Sequence, residues 1–511
     1  MSISKKIIIT AAVAGLTLGA SSCKKYLDVN TNPNIAQNAT VITLLPAAEL
    51  YLGSAMGVDM EINGSVWAQF WTQSPDGKQY RQIDQMAPSA AYYNSSWKNL
   101  YAGAENFYQL YNLADSQHKS AYKAIGLLMR AYAFQALADG WGDVPFNQAL
   151  QGQYSDGHIV NPKYDSQRVV YRGIIAYIDS ASNLIKVGDA AAPGSDDLIY
   201  GGDMSKWQKF ANTLKLRALM RMTDIDPVYA NPRIDTMFRN NLPFLGEGDD
   251  AKIAYGSGNN NNNPLYAELS SSQMGGVQQL AGSKTCIDAM NANNDYRSKV
   301  FYTTVPSTGR TGVKQSEYDI ALTTGSFSVP NVHVGGNAKS ATSGKAPVVL
   351  LSSWESFFLQ AEAVARGLTT GGDDAQLFYN GIHASFSFWG NALVAEGYTS
   401  ASAAYGIYVN GDAAASIPAA YWAQYPAAGT PAEKIRHIIT QKWFSMCGNQ
   451  GFEAWTELRR TGYPDFLVTP RNSYIGAVSP KRFVYPASEA ASNSNYPGMV
   501  PVTSLVWWDK I

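Results

Sequence analysis

Apolar positions recur at helical spacing along most of this chain. In "SSWESFFLQAEAVARGL", Trp354, Phe357, Phe358, Ala361, Ala365 and Leu368 form the stripe that a helix buries on one face. Ser352 and Glu355 stand at capping-box spacing at its start, and Gly367 sits where the helix should end. "TPAEKIRHIITQKWFSM" repeats the logic, with Thr430 as N-cap, Pro431 at the first helical position and Glu433 closing the box. Its apolar face is Ile435, Ile438, Ile439 and Trp443. The same periodicity predicts helices over 121–139, 167–186 and 204–224. A further segment, 89–115, places Trp97, Tyr101, Tyr108 and Tyr111 on one stripe.

Small residues are dense between the large ones, as in "RAYAFQALAD". Alternating bulky and small positions let neighbouring helices interlock, which predicts a mainly α fold. Its scaffold is a solenoid of tetratricopeptide-like helix pairs, with repeats degenerate enough to hide any clean 34-residue period. Two stretches break the pattern: 226–346, with "YGSGNNNNNPLYAEL", and 386–429, with "FSFWGNALVAEGYTSASAAYGIYVNGD". The chain therefore divides into a first scaffold part (39–225), a loop-rich insertion (226–346) and a second scaffold part (347–511) carrying the 386–429 insertion. Long irregular insertions on a rigid scaffold are where binding surfaces lie, and mobile surface loops are the bland alternative.

The N-terminus carries a different pattern. Lys5 and Lys6 precede an apolar run from Ile7 to Ala20, too short to span a bilayer, and Ser21, Ser22 and Cys23 follow. This reads as a signal peptide over 1–22, with Cys23 as the lipid-bearing N-terminus of a bacterial lipoprotein. Ala20 stands where the usual lipobox has leucine, and a plain secretory signal with an accidental cysteine is the alternative. Residues 23–38 are polar and turn-rich and read as a tether. No later segment looks long and apolar enough to cross a membrane.

Composition narrows the function classes. The formal net charge is -1 over 511 residues, so nothing electrostatic argues for nucleic acid. Aromatic residues make up 12% and charged ones only 15%, a profile that suits an extracytoplasmic protein with broad aromatic surfaces. Cys286 and Cys447, 161 positions apart, are as readily separate buried thiols as a pair. The histidines at 118, 158, 333, 383 and 437 show no metal-ligand spacing, and no phosphate-cradling glycine motif or nucleophile elbow is present. Asparagine- and aspartate-rich loops supply the oxygen ligands calcium takes, which leaves structural calcium open, but there is no EF-hand pattern. Asp139 and Asp143 flank "GWG" and could pass for a catalytic carboxylate pair, but a turn-closing role for Asp143 explains it better. Glu453, Glu457, Arg459 and Arg460 could bind an anion, or simply pair along a helix. Nothing in this inventory argues for an enzyme, a catalytic residue or a bound cofactor.

Five stretches together resemble a known family. "RAYAFQALADGWGDVPFNQAL" (130–150), "DMSKWQKFANTLKLRALMR" (203–221), "WESFFLQAEAVARG" (354–367), "IITQKWFSMCGNQGFEAWTELRRTGYP" (438–464) and "KRFVYPASEAASN" (481–493) are similar, in order, to the motifs of SusD/RagB-like nutrient-binding outer-membrane lipoproteins of Bacteroidetes. The resemblance implies a tetratricopeptide-like fold with a loop-rich ligand-binding face. It also implies a cell-surface protein that binds oligosaccharides or peptides and passes them to a TonB-dependent outer-membrane transporter. Lys24 and Lys25 depart from the acidic residues common after the lipidated cysteine in such bacteria. The runner-up is a glycan-degrading lipoprotein enzyme with an all-helical barrel.

The family motifs do not name the ligand residues, so those come from side-chain chemistry alone. Sugars are held by aromatic faces against their C–H surfaces, with amides bonding the hydroxyls. "WAQFWTQSPDGKQY" (67–80) offers that mixture in Trp71, Gln73 and Tyr80, with Asn262, Tyr266 and Gln273 as polar complements from the insertion. Trp67, Phe70 and Trp71 lie at helical spacing, so packing in the core is the competing account. The fallback location is the 386–429 insertion around Trp389 and Trp422.

Overall fold

The computed structural model describes residues 40–153, 157–188, 192–258, 261–322 and 325–509; Cys23 and the signal and tether segments lie outside them. Helix α1 (Val41–Ala55) starts at Thr40, whose hydroxyl accepts the Thr43 N–H. A π-helical turn, Met56–Met60, leads into α2 (Glu61–Trp67). Helices α3 (Asn94–Ser116), α4 (Ser120–Trp141), α5 (Gln167–Val187), α6 (Met204–Met222) and α7 (Pro227–Arg239) follow. From α1 to α3 and onward to α7, each of these packs on the next, which is the layering of a helix-pair solenoid. The predicted helices over 121–139, 167–186 and 204–224 thus stand within a residue or two of α4, α5 and α6.

Helix α8 (Lys284–Ala292) lies within the 226–346 stretch. The second helical run comprises α9 (Ser353–Ala365), α10 (Asp374–Phe388), α11 (Ala401–Asn410), α12 (Pro431–Met446) and α13 (Gly451–Thr461). Here α9 packs on α10 and α12, and α13 returns to α2. That return needs glycine: a Cβ on Gly64 would lie 2.1 Å from the Phe452 nitrogen, so the two backbones meet directly. Strands are few. Among the described residues they form antiparallel pairs of β1 (Trp71–Gln73) with β5 (Leu280–Gly282), β2 (Val144–Pro145) with β3 (Tyr164–Asp165), and β4 (Ala251–Ile253) with β6 (Val348–Leu351).

Helix ends follow the local chemistry with one exception. Thr430 and Glu433 complete the capping box of α12, with Pro431 at its first position. At the end of α9, Gly367 has φ +69, its N–H donates to the Val364 carbonyl, and the Leu368 N–H reaches Ala363. At the start of α9, Ser352 accepts the Glu355 N–H at 3.2 Å. The Glu355 side chain does not close the expected box, because it is buried and accepts instead from Gln450 Nε2 at 2.7 Å.

A second expectation is corrected in the same way. The continuous run Val41–Trp67, with mean hydropathy 1.5, is long and apolar enough by composition to cross a membrane. In the fold it packs on α3 and α13 and buries Glu49 and Glu61 along with Val41, Leu45, Leu52 and Val66, while Ile42 and Leu50 stay exposed.

The helices converge on a buried network of ion pairs. Arg221 of α6 donates to Glu453 at 2.5 Å and to Glu457, both on α13. Arg460 grips Glu362 of α9 through two nitrogens, at 2.7 and 2.5 Å, and Glu457 at 2.6 Å. Lys442 of α12 lies 3.3 Å from Glu457 and 3.7 Å from Glu453. Arg217 stands 3.6 Å from Glu355, and Arg459 donates to the Asp139 carbonyl at 2.8 Å. Burial pushes the Glu457 carboxyl up, but Arg460, Lys442 and Arg221 outweigh it and hold the group well below the usual range. Burial and the neighbouring Glu453 push Glu355 up to about 7.

Removing one member leaves buried charge without its partner, which costs about 3–5 kcal/mol. Arg221→Met should therefore lower the urea midpoint by that equivalent with the m-value unchanged. An unmoved midpoint would mean that Lys442 and Arg460 satisfy both glutamates without Arg221.

Candidate ligand-binding site

Strand pairing decides the fate of the 67–80 stretch. The helix ends at Trp67, Gln69 takes φ +59, and Trp71 begins β1 opposite Gly282. Trp71 and Gln73 are fully buried and Tyr80 is 3% exposed, which corrects the expectation that these three side chains meet a ligand. Gln73 Oε1 accepts the Tyr80 N–H at 2.7 Å, while its Nε2 donates to the carbonyls of Ser74 and Gln279. It therefore ties the Pro75-Asp76-Gly77 turn to the neighbouring strand. Among the described residues the Tyr80 hydroxyl and the Trp71 indole N–H have no hydrogen-bond partner.

The complementary residues are likewise spread apart. Asn262 is half-buried, and with its amide nitrogen inward it donates to Gly256 and Gly258 at 3.0 and 3.1 Å. The half-buried Tyr266 sits on a short helix, Pro264–Leu269, capped by Asn263; Gln273 alone of the six is exposed. None of the six lines either cavity described below. Asp139 and Asp143 also separate: Asp139 is buried against Tyr171 and Trp508, whereas Asp143 is exposed and accepts the Gln167 N–H at the start of α5. Among the described residues, no group of three or more His, Cys, Asp or Glu is arranged to hold a metal ion.

The structure assembles a different site, a groove of about 610 Å³. One face of α8 supplies Lys284, Thr285, Asp288, Ala289 and Ala292, the i, i+4, i+8 rows of a single helix side. Opposite lie Lys314, Gln315, Trp422, Phe466, Val468, Thr469 and Arg471, and Asn293 closes the end. Trp422 contributes a ring held between neighbours, with His437 at 5.0 Å and Phe466 at 6.1 Å between centroids. Asn293 Oδ1 accepts the Trp422 N–H at 3.2 Å and so fixes the aromatic wall to α8.

The 67–80 stretch stands behind this groove as its support. Gln69 holds the Val468 backbone at both ends, with N–H to Oε1 at 3.1 Å and Nε2 to carbonyl at 2.5 Å. Gln315 Nε2 donates to the carbonyls of Val66 and Trp71 and to Asp84 Oδ1, all within 3.1 Å. Burial pushes Asp84 up to about 7 despite the Thr72 hydroxyl bonded to it. The rim is exposed by comparison: Lys284 and Asp288 pair at 2.7 Å in the open, and Arg471 reaches Glu317 and Asp319.

The groove thus pairs apolar ring surface with amide, hydroxyl and charged groups. Among the described residues its lining includes a single carboxylate, Asp288, and not the facing pair that most glycoside hydrolysis uses. Of the two fallback tryptophans, Trp422 lines this groove and Trp389 a separate cavity. The α8 wall carried a legible signal in "KTCIDAMNA", whose periodicity was submerged in the surrounding Gly- and Asn-rich sequence.

A family model described as starch-binding and associating with the outer membrane, SusD-like, matches residues 29–486. No curated protein matches in sequence. Among solved structures, a chitin-binding protein shares 25% identity, covers 91% of this chain and 99% of its own, and superposes with a TM-score of 0.71. A chitin-binding SusD homolog from Flavobacterium johnsoniae shares 23% identity over 91% and 98% of the two chains, at 0.71. A SusD homolog from Bacteroides uniformis shares 22% over 92% and 99%, also at 0.71.

The burial of Trp71 and Tyr80 has a measurable consequence. Trp71→Ala should destabilise the fold by about 3–5 kcal/mol through the cavity it leaves. Tyr80→Phe, which deletes a buried hydroxyl without a partner, should hold or raise the melting temperature. A lower melting temperature for Tyr80→Phe would show that the hydroxyl is bonded after all.

Proposed function

Because the chain belongs to the SusD-like family, we propose that it is an outer-membrane-associated glycan-binding protein whose α8–Trp422 groove takes an oligosaccharide. The observation that carries this reading is the composition of the groove. Trp422 and Phe466 offer ring surface to the C–H faces of a sugar, and Asn293, Thr285, Thr469 and Arg471 offer hydrogen bonds to its hydroxyls. Open at one side and about 610 Å³ in volume, the groove suits several sugar units of a longer chain. Starch in the family description and chitin in two similar structures favour glycan over peptide as cargo.

Titration calorimetry with soluble malto- and chito-oligosaccharides tests the reading. Trp422→Ala should weaken binding by about 1–3 kcal/mol, the scale of a lost aromatic contact, and Arg471→Ala by less. Unchanged affinity in both variants would move the glycan elsewhere. The appearance of new reducing ends would instead favour the enzymatic alternative.

Anchoring and delivery complete the proposal. Cys23 carries the lipid that holds the protein at the outer membrane, facing the exterior, and a TonB-dependent β-barrel receives the cargo, which a protein of this build does not carry across by itself. Several acyl chains give a stable anchor where one does not. Cys23→Ala should release the protein from the membrane fraction once the barrel is deleted, and wild-type protein should co-purify with the barrel in mild detergent. Membrane retention of the variant in that background, or recovery of the wild type alone, would refute the anchor or the partner respectively.

A further inference from the structure

A second cavity, of about 520 Å³, is built on other elements and shares no residue with the groove. Lys252 of β4, His333 and Lys345 on two 3-10 turns, Phe388 and Trp389 at the end of α10, and Asn391 on the short helix Gly390–Ala395 line it. Its volume lies inside the range of about 300–1,000 Å³ typical of small-ligand sites.

The charge of the lining is one-sided. Three basic side chains border the cavity and no carboxylate does, among the described residues. The nearby acids are already engaged. Glu396 lies 3.3 Å from His333, whose hydrogen bond holds that carboxyl below its ordinary value. Asp250, beside Lys252 in the chain, accepts both the N–H and the hydroxyl of Ser353 at 2.7 Å. Lys252 rests 4.6 Å from the centre of the Phe388 ring, and Lys345 is exposed. Trp389 is 4% exposed and packs edge-on against Phe388, 4.8 Å between centroids, so it backs that wall. Two ammonium groups, the exposed Asn391 amide and the half-buried Phe388 ring therefore meet in one recess.

We propose that this recess is a second binding site, for a hexose bearing a negative charge as a carboxylate or a sulfate ester. Lys252 and Lys345 supply the counter-charge, Phe388, backed by Trp389, the surface for the sugar ring, and Asn391 and Thr342 the polar contacts. A neutral hexose leaves both lysines unpaired and gains little here.

Calorimetry on the full chain with glucuronic acid, glucose 6-sulfate, glucose and inorganic sulfate tests the site. At least one of the two anionic sugars should bind saturably, and its affinity should fall at least tenfold in Lys345→Gln or Lys252→Gln, both exposed positions. Asn391→Ala, which deletes the exposed amide of the lining, should weaken it severalfold, and 0.5 M salt should weaken it as well. Lys98→Gln, on the open face of α3, controls for general charge and should change nothing. No saturable binding of either anionic sugar, equal binding of glucose, or indifference to both lysine variants would overturn the proposal. Inorganic sulfate binding as tightly as the sulfated sugar would overturn its saccharide part.

Discussion

Arg221, Arg217, Lys442 and Arg460, set against Glu355, Glu362, Glu453 and Glu457, are the contact on which the rest of the molecule hangs. They come from α6, α9, α12 and α13, so the first and second helical runs meet through charge and not through an apolar face alone. Apolar packing is tolerant of small slips, whereas a buried guanidinium between two carboxylates fits one arrangement. The network thereby fixes the register in which two sets of helices close. The meeting of Gly64 and Gly451, where α2 touches α13 backbone to backbone, depends on that register being held. Glu61 links the two devices by accepting the Gly451 N–H at 2.8 Å.

Much of this architecture was legible in the sequence, because helices advertise themselves locally. Period, caps and breakers placed α4, α5, α6, α9 and α12 within a few residues, and the five motifs pointed to the family whose model spans residues 29–486. The misreadings have a common cause, which is pairing over long sequence distances. Trp67, Phe70 and Trp71 keep helical spacing, but Gln69 turns the chain into a strand whose partner lies some 200 positions away. Glu355 has the spacing of a capping residue, yet Gln450 and the buried cations claim it from other helices. Neither competitor is visible in a local window.

The candidate site shows the same limit. Trp422 stood out as an aromatic in a variable-looking insertion, but its wall is completed by α8, by Gln315 and by the segment after Pro464. These four segments come together only because β1 and β5 pair and Gln69 clamps Val468. The aromatic half of the candidate list came from 67–80, which turned out to be the buttress, and its polar half from 262–273, which lines neither cavity.

The groove separates two kinds of residue that many sites combine. Its back, made of Gln315, Asn293 and the Trp422 ring, is hydrogen-bonded into the core and changes only at a cost to the fold. Its rim, Lys284, Asp288, Lys314 and Arg471, stands on exposed positions whose exchange falls within about 0.5 kcal/mol of neutral. On the proposed reading of the groove, cargo preference can therefore drift by single surface substitutions while the scaffold stays intact. Such a protein can be retuned to a new polymer faster than it can be unfolded by the retuning.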